Sequence, residues 1–213
     1  MTIDYSGPPF DEIRGLTKDL QGWCPPEKCC HIAKLIIENE FKEFVEIGVF
    51  AGKSLVSASC TFRYLGRGIA LGIDPWSNDA ALEHMEDREY IEGWRQRDLE
   101  QVYVDFIKTV IDLNLTKHCS WVRARSEIAV RMFETDSVDM VHIDGNHSEE
   151  MSTLDVRLWL PKVRPSGIIL MDDTNEVEWP STQKAVEMLM EGCDLIEDCG
   201  DYSVFCKRPS ATE

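Results

Sequence analysis

Two short segments of the chain place acidic side chains directly after an apolar run. The run over residues 138–143 is followed by Asp144, and His147 stands three residues further along. A second apolar run ends in Asp172 and Asp173. Carboxylates are the ligands that hard divalent cations prefer, and a neutral histidine can accept a proton from a hydroxyl group. Together these residues could hold a cation and deprotonate a bound substrate.

Each of these side chains also has an ordinary structural explanation. Asp144 could cap a helix that starts near Ser148, because such caps are common where a strand gives way to a helix. The second pair of acids could be a solvated strand end, and His147 could be a surface histidine. A shared site therefore depends on the elements that would bring these residues together.

The direction of the side chains adds a condition. Adjacent residues of a strand point to opposite faces of the sheet. Asp172 and Asp173 can therefore reach one ion only if the strand ends there and the chain turns, which the following TNEVEWP permits. His142, inside the first apolar run, is interpreted as a core histidine with satisfied hydrogen bonds.

The hydrophobic pattern predicts strands that alternate with helices. Strands and a closing hairpin are expected at residues 42–49, 68–76, 119–124, 138–144, 167–173 and 193–207. Helices are expected at residues 25–40, 53–65, 99–113 and 181–193. This alternation predicts an α/β fold with a Rossmann-like, doubly wound, mostly parallel seven-stranded sheet and an antiparallel C-terminal hairpin. In such sheets ligands bind beyond the carboxyl ends of the strands, where the acids stand.

The first strand-to-helix turn, VEIGVFAGKS, carries Glu46, Gly48 and Gly52. Glycine lets a ligand approach the main chain closely, but the spacing is not the G-x-G-x-x-G that seats a dinucleotide. The preceding acid suits a ligand with hydroxyl groups or positive charge and disfavours a phosphate. Asp74, which ends the second strand, could accept both hydroxyls of a ribose.

These residues resemble the class I S-adenosylmethionine-dependent methyltransferases, over about residues 27–207. The segment HIDGNHSEE…LDVRLWLPKVRPSGIILMDD is similar to the metal-dependent sugar O-methyltransferases of the macrocin and mycinamicin type and to cephalosporin-hydroxylase-like relatives. The resemblance implies that the cofactor is bound by Glu46, Gly48, Gly52, Lys53, Ser54, Asp74, Ser126 and Asp144. It implies that the cation, Mg²⁺ first and Mn²⁺ or Ca²⁺ otherwise, is held by Asp144, Asp172 and Asp173. His147 would be the catalytic base, assisted by Asp144.

Residues 77–98 form a polar, acid-rich segment between the second strand and its helix. A segment at that position can fold over a binding site as a lid. Trp76, Tyr90 and Trp94 could stack on a sugar ring there, although aromatic residues also pack beneath such lids. Ser126 follows another predicted strand, and it could contact an adenine or cap a helix.

Bulk composition limits the other classes of function. The chain has 213 residues and a net charge of -17, which argues against a nucleic-acid partner. Its sequence predicts one methyltransferase domain over residues 1–213, with an N-terminal extension at 1–24, no membrane span and no secretory signal. Eight cysteines without a CxxC pair predict reduced thiols and a cytoplasmic location.

The sequence leaves several functions open. The leading interpretation is an O-methyltransferase that acts on a hydroxyl of a sugar or glycan, with a deoxysugar such as rhamnose included. The alternatives are an O-methyltransferase of a small phenolic or catechol-type substrate, an NAD-linked oxidoreductase and a non-catalytic binding module. A homo-oligomer, or one module of a larger glycan-assembly protein, is compatible with each of them.

Overall fold

Seven strands of the computed structural model, which describes residues 5–209, form one sheet. They are β1 (Glu43–Ile47), β2 (Ile69–Ile73), β3 (Cys119–Val122), β4 (Val138–Ile143), β5 (Val163–Asp172), β6 (Cys193–Asp198) and β7 (Tyr202–Lys207). Their order in the sheet is β3-β2-β1-β4-β5-β7-β6. The first five strands run parallel, and β7 is antiparallel to both of its neighbours. The predicted fold class is confirmed.

Helices cover both faces of this sheet. They are α1 (Phe10–Asp19), α2 (Pro26–Glu38), α3 (Lys53–Leu65), α4 (Asn78–Leu82), α5 (Arg88–Arg95), α6 (Leu99–Asp112), α7 (Ser126–Ala129), α8 (Glu149–Trp159) and α9 (Gln183–Gly192). Short 3-10 turns lie at Val130–Met132 and Pro180–Thr182. Residues of α1, α2, α3 and α6 share one apolar core with the strands, and residues of α7, α8 and α9 share the other.

The alternation of side chains along β4 decides which residues can meet. Met140 packs in the core beneath α2 and α3, whereas Val141 and Ile143 pack in the core on the opposite face. His142 lies two residues beyond Met140 and therefore points to the α2 side. Glu46 of β1 is paired in register with His142, so these two side chains lie next to each other on that face.

The N-terminal region is more than the predicted extension. Within residues 1–24 the chain forms α1, whose Ile13 is fully buried in the core against α2, while residues 1–4 lie outside the described part. The strand predicted at residues 167–173 begins earlier, at Val163, and ends at Asp172. Asp173 then adopts a positive φ of 54°, so the chain turns there as the prediction required.

Among residues 5–209, no helix combines the length and the apolar character needed to cross a membrane. All eight cysteines are free thiols, as predicted, and most of them are buried.

Candidate active site

A cavity of about 670 Å³ lies at the carboxyl ends of the parallel strands, where the sequence predicts a site. Its walls include the glycine turn after β1, the ends of β2, β4 and β5, and the segment between β2 and α6. A cavity of this size lies in the range of small-molecule and cofactor sites, about 300–1,000 Å³.

The two glycines of the β1 turn are required by packing. Gly48 has a φ of 85°, and a Cβ added there would lie 1.9 Å from the carbonyl oxygen of Asp144. Gly52 has a φ of 80°, and its added Cβ would lie 2.4 Å from the ring of Phe106. Both glycines also line the cavity, and their predicted role in cofactor binding stays a prediction.

Asp74 organises this turn from the end of β2. Its Oδ2 accepts hydrogen bonds from the backbone N–H groups of Val49 and Phe50, each at 2.9 Å. Its Oδ1 accepts the backbone N–H of Trp76 at 2.6 Å. Three of roughly four acceptor positions of the carboxylate are thus occupied. One acceptor position remains open, and the predicted contact of Asp74 with both ribose hydroxyls stays a prediction.

Glu46 is absent from the cavity wall, and its predicted contact with the cofactor stays a prediction. The side chain is fully buried because it lies on the face of the sheet that α2 and α3 cover. Its Oε1 accepts the hydroxyl of Ser54 and lies 2.7 Å from Nδ1 of His142. Burial in this apolar surrounding raises the pKa of Glu46 well above its ordinary value.

The remaining residues predicted to bind the cofactor all lie on the cavity wall. Lys53 donates a hydrogen bond to the carbonyl of Gly22 at 3.3 Å. Ser126 begins α7 and donates its hydroxyl to Asp155, a buried carboxylate on α8. Burial raises the pKa of Asp155 to about 7, and the Ser126 hydrogen bond opposes that rise only in part. The hydroxyls of Ser54 and Ser126 thus both donate hydrogen bonds to buried acidic side chains.

The three carboxylates predicted as metal ligands fall into two groups that share Asp144. In the first group, which we term the inner group, ligand atoms of His142, Asp144 and Asp172 lie within 4.8 Å of one another. In the second, the outer group, the same holds for Asp144, His147 and Asp173. Asp172 and Asp173 belong to different groups, because Asp172 keeps the strand direction and Asp173 turns away from it. That both acids reach one ion stays a prediction.

His147 lies between two carboxylates in the outer group. Its Nε2 is 2.8 Å from Oδ2 of Asp173 and 3.9 Å from Oδ1 of Asp144. Burial alone would lower the pKa of His147, but the hydrogen bonds and charges of these two acids raise it to about 10. The other ring nitrogen, Nδ1, is buried without a hydrogen-bond partner among the described residues. Asp173 therefore fixes the ring and leaves Nδ1 as the position that can exchange a proton with a substrate.

Lys28 is a site residue that the sequence analysis missed. It lies on α2, is 2% exposed, and donates to Oδ2 of Asp172. Although burial opposes its charge, the neighbouring Asp172 and Asp144 raise the pKa of Lys28 above its ordinary value, so it stays an ammonium. The sequence could have indicated Lys28, because it lies on the apolar side of a predicted helix. A lysine at such a position is rarely buried without a charged partner.

All three aromatic residues predicted to contact the acceptor line the cavity. Tyr90 and Trp94 lie on α5. Trp76 is buried, stacks on Phe106 at 5.6 Å between ring centroids, and donates its indole N–H to the carbonyl of Phe50. Its ring is thus used mainly in packing, and its predicted contact with a sugar stays a prediction.

Trp23, which the sequence analysis did not select, stands at the mouth of the cavity. It is 66% exposed, and the guanidinium of Arg97 lies 5.1 Å from its ring. The same guanidinium lies 5.0 Å from the ring of Trp94. The sequence feature that could have indicated Trp23 was a tryptophan in a predicted loop ahead of the first strand.

The predicted lid, residues 77–98, contains α4 and α5 and borders the cavity. Asn146 fastens it to the end of β4, because its Nδ2 lies 3.0 Å from Ala80 O, 3.2 Å from Ala81 O and 2.9 Å from Glu83 O. The side chain of Glu83 also pairs with Arg125. The turn after β4, which carries Asp144 and His147, therefore also positions the predicted lid segment.

The order of the strands and the cavity at their carboxyl ends define a class I methyltransferase fold. The chain belongs to the family described as a methyltransferase domain, whose model matches residues 45–174. No match is found among the curated proteins. The sequence-based assignment to the methyltransferases is confirmed.

Solved structures share this fold at low sequence identity. The SAH-bound methyltransferase PaMTH1 of Podospora anserina superposes with a TM-score of 0.68 at 12% identity, over 96% of this chain and 89% of that one. The O-methyltransferase NovP gives 0.68 at 15% identity, over 93% and 88%. The O-methyltransferase TomG of Streptomyces achromogenes, in complex with SAM, gives 0.62 at 13% identity, over 96% and 91%.

Proposed function

We propose that this chain is an S-adenosylmethionine-dependent O-methyltransferase that is assisted by a divalent cation and acts on a hydroxyl of a sugar or glycan, such as a deoxysugar. The observation that carries the proposal is the placement of His147, Asp144 and Asp173 on one wall of the cavity formed by the glycine turn. A proton acceptor, carboxylates for a cation and a cofactor-sized cavity occur together there.

The residues present fit the methyl donor. The cavity wall carries Asp74 for a ribose hydroxyl and the Ser126–Asp155 pair for a hydrogen-bond donor such as an adenine amino group. It is also rich in carboxylates, which suits a sulfonium ion and disfavours a phosphate. S-adenosylmethionine, when bound, supplies the methyl group for an in-line displacement, so the protein's main task is to position the two reactants.

The residues also fit a cation. Asp144, Asp172 and Asp173 stand at the ends of the neighbouring strands β4 and β5, and Lys28 pairs with Asp172. A divalent cation there would supply positive charge that polarises the acceptor hydroxyl and lowers the pKa of the adjacent histidine.

His147 would then accept the proton of the acceptor. Asp173 holds Nε2 as the N–H donor, so Nδ1 receives the hydroxyl proton as the oxygen forms its bond to the methyl carbon. Tyr90 and Trp179 border the imidazole, with ring centroids 6.0 Å and 4.4 Å away, and restrict the access of water. Tyr90 and Trp94 present ring faces that suit a sugar.

A small phenolic or catechol-type acceptor is the second candidate. The same aromatic rings could stack on a phenol ring, and cation chemistry serves either hydroxyl. We keep a cytoplasmic location as a prediction, which the free thiols support. The predicted homo-oligomer and the predicted membership of a larger glycan-assembly protein stay predictions.

The test is an incubation with S-adenosylmethionine, Mg²⁺ or Mn²⁺ and a panel of acceptors, namely nucleotide-linked deoxysugars, neutral glycosides and catechols. Mass spectrometry should find a 14-dalton increase in a sugar and an equal amount of demethylated cofactor. Chelation should abolish the product, as should Asp144→Asn, whereas the exposed control Asp112→Asn should retain it. Methylation of catechols alone would select the second candidate, and full activity in chelator would exclude the cation.

A further inference from the structure

One buried nitrogen beside the site has no partner. His142 is 0% exposed, and its Nε2 makes no hydrogen bond within the described residues. An orphaned polar atom in the interior is costly, and most such atoms in native proteins are satisfied. The interpretation of His142 as a satisfied core histidine is therefore wrong for this conformation. The unpaired nitrogen points towards the carboxylates of the inner group.

The other ring nitrogen of His142 shows which tautomer is present. Nδ1 lies 2.7 Å from Oε1 of Glu46, and the same oxygen accepts the hydroxyl of Ser54. A hydrogen on Nδ1 donated to Glu46 leaves Nε2 with a free lone pair. A carboxylate that binds one ring nitrogen, orients the imidazole and raises its basicity is the arrangement found behind histidines that ligate metals.

The geometry around Nε2 matches a coordination site. Nε2 lies 3.8 Å from Oδ2 of Asp172, and it shares the 4.8 Å cluster with a carboxylate oxygen of Asp144. Ligand atoms placed about 2.0–2.2 Å from one ion are separated by about 3–4 Å. The strand pairing explains this meeting, because His142 and Asp144 alternate to the same face of β4, beside the end of β5.

Lys28 is compatible with this site and competes for it. Its ammonium bonds to Oδ2 of Asp172, but each carboxylate oxygen has two lone pairs and can bind a second partner. Two carboxylates of the inner group, of Asp144 and Asp172, lie beside this single ammonium, so the group still has an excess of negative charge. Removing the ammonium should strengthen cation binding, because the like charge is gone.

We propose that His142 is a metal ligand, that it binds one divalent transition-metal ion together with Asp144 and Asp172, and that Glu46 orients it. An imidazole with two carboxylates favours Mn²⁺, Fe²⁺, Co²⁺ or Zn²⁺ over Mg²⁺ and Ca²⁺, which prefer oxygen ligands alone. This inference deepens the proposed function, since the ion would serve the same site. It leaves Asp173 free to orient His147.

The test is Mn²⁺ binding followed by electron paramagnetic resonance, without any turnover. The chelator-treated protein is titrated with Mn²⁺, and pulsed spectra report whether a nitrogen nucleus is coupled to the bound ion. We expect nitrogen coupling in the wild type and its loss in His142→Asn, with binding weakened at least about tenfold. Glu46→Gln should keep the coupling and weaken binding about 10–100-fold.

Two further histidine variants serve as matched controls. His118→Asn removes an imidazole that bonds to the carbonyl of Gly68 near the start of β3, and it should change nothing. His147→Asn should keep the nitrogen coupling, because that ring belongs to the outer group. Lys28→Met should bind Mn²⁺ more tightly than the wild type does.

Three results would overturn the assignment: no nitrogen coupling in the wild type, coupling that persists in His142→Asn, or coupling that disappears in His147→Asn. If His142→Asn does not fold, the wild type and His147→Asn decide the question between them. Nitrogen coupling without any methylated acceptor would support this site and count against the proposed function. Cation-dependent methylation without nitrogen coupling would support the proposed function and count against this site.

Discussion

The two groups of side chains that share Asp144 differ in their access to the cavity. In the inner group only the carboxylates and Lys28 reach the cavity wall, because His142 is fully buried behind them. The outer group faces the lid, and the side chain of His147 is 17% exposed. A group with a buried imidazole suits an ion that stays bound, whereas a group whose imidazole reaches the cavity suits a proton that must come and go. The ends of β4 and β5 can thus support two kinds of chemistry, because Asp172 keeps the strand direction and Asp173 turns away from it.

The largest effect is expected when the outer group alone is broken. His147→Ala should lower the methylation rate by ~10²–10⁴-fold, the usual loss for a general base. Calorimetry should find the affinities for cofactor and Mn²⁺ little changed, because neither is assigned to this ring. A variant within a few-fold of the wild-type rate would contradict the assignment of His147 as the base and leave proton removal to solvent.

A smaller effect is expected when the predicted lid is released from the turn after β4. Asn146→Ala removes the three hydrogen bonds that hold residues 80–83, so the lid should open more often. Hydrogen exchange should increase in residues 77–98 and not in the strands, and KM for the acceptor should rise several-fold. Asn175→Ala, in the loop after β5, offers a matched control. Unchanged exchange in the lid would show that Asn146 does not fasten it.

The smallest effect is expected at Asp155, a buried carboxylate outside both groups. Its pKa is raised by burial to about 7, above the ordinary 3.8, so the folded state holds the proton more tightly than the unfolded state does. Its contribution is therefore fully present below about pH 4 and is lost as the pH rises through 7. Between pH 5 and 8, the Tm of the wild type should fall several degrees further than that of Asp155→Asn. Parallel Tm curves would show that Asp155 does not titrate in this range.

The sequence was sufficient for the fold because periodicity is a local signal. The runs around Val45, Val141 and Ile169 alternate with amphipathic helices, and strands that alternate with helices have few arrangements open to them. It was also sufficient to place Asp74 and Asp144 at one edge of the sheet, since parallel strands end on the same side.

The directions in which individual side chains point could not be predicted in the same way. Asp173 leaves the face of Asp172 through a positive φ, which the pattern of apolar residues does not encode. Glu46 and His142 are 96 residues apart, and their contact requires both the neighbouring positions of β1 and β4 and the register between them. Lys28 depends on how α2 docks on the sheet. Such details come from tertiary packing and not from spacing.

The close contact between Gly48 and the carbonyl of Asp144 has a consequence for regioselectivity. No side chain fits between the β1 turn and the end of β4, because the two backbone segments are in contact at Gly48 and Asp144. In the proposed reaction the first segment would lie beside the methyl donor and the second beside the acceptor. In a displacement reaction, an error of about 1 Å in the position of the attacking atom can cost about 10²-fold in rate. In an enzyme of the proposed kind, neighbouring hydroxyls of one ring would therefore be distinguished by the main chain, before any acceptor side chain contributes.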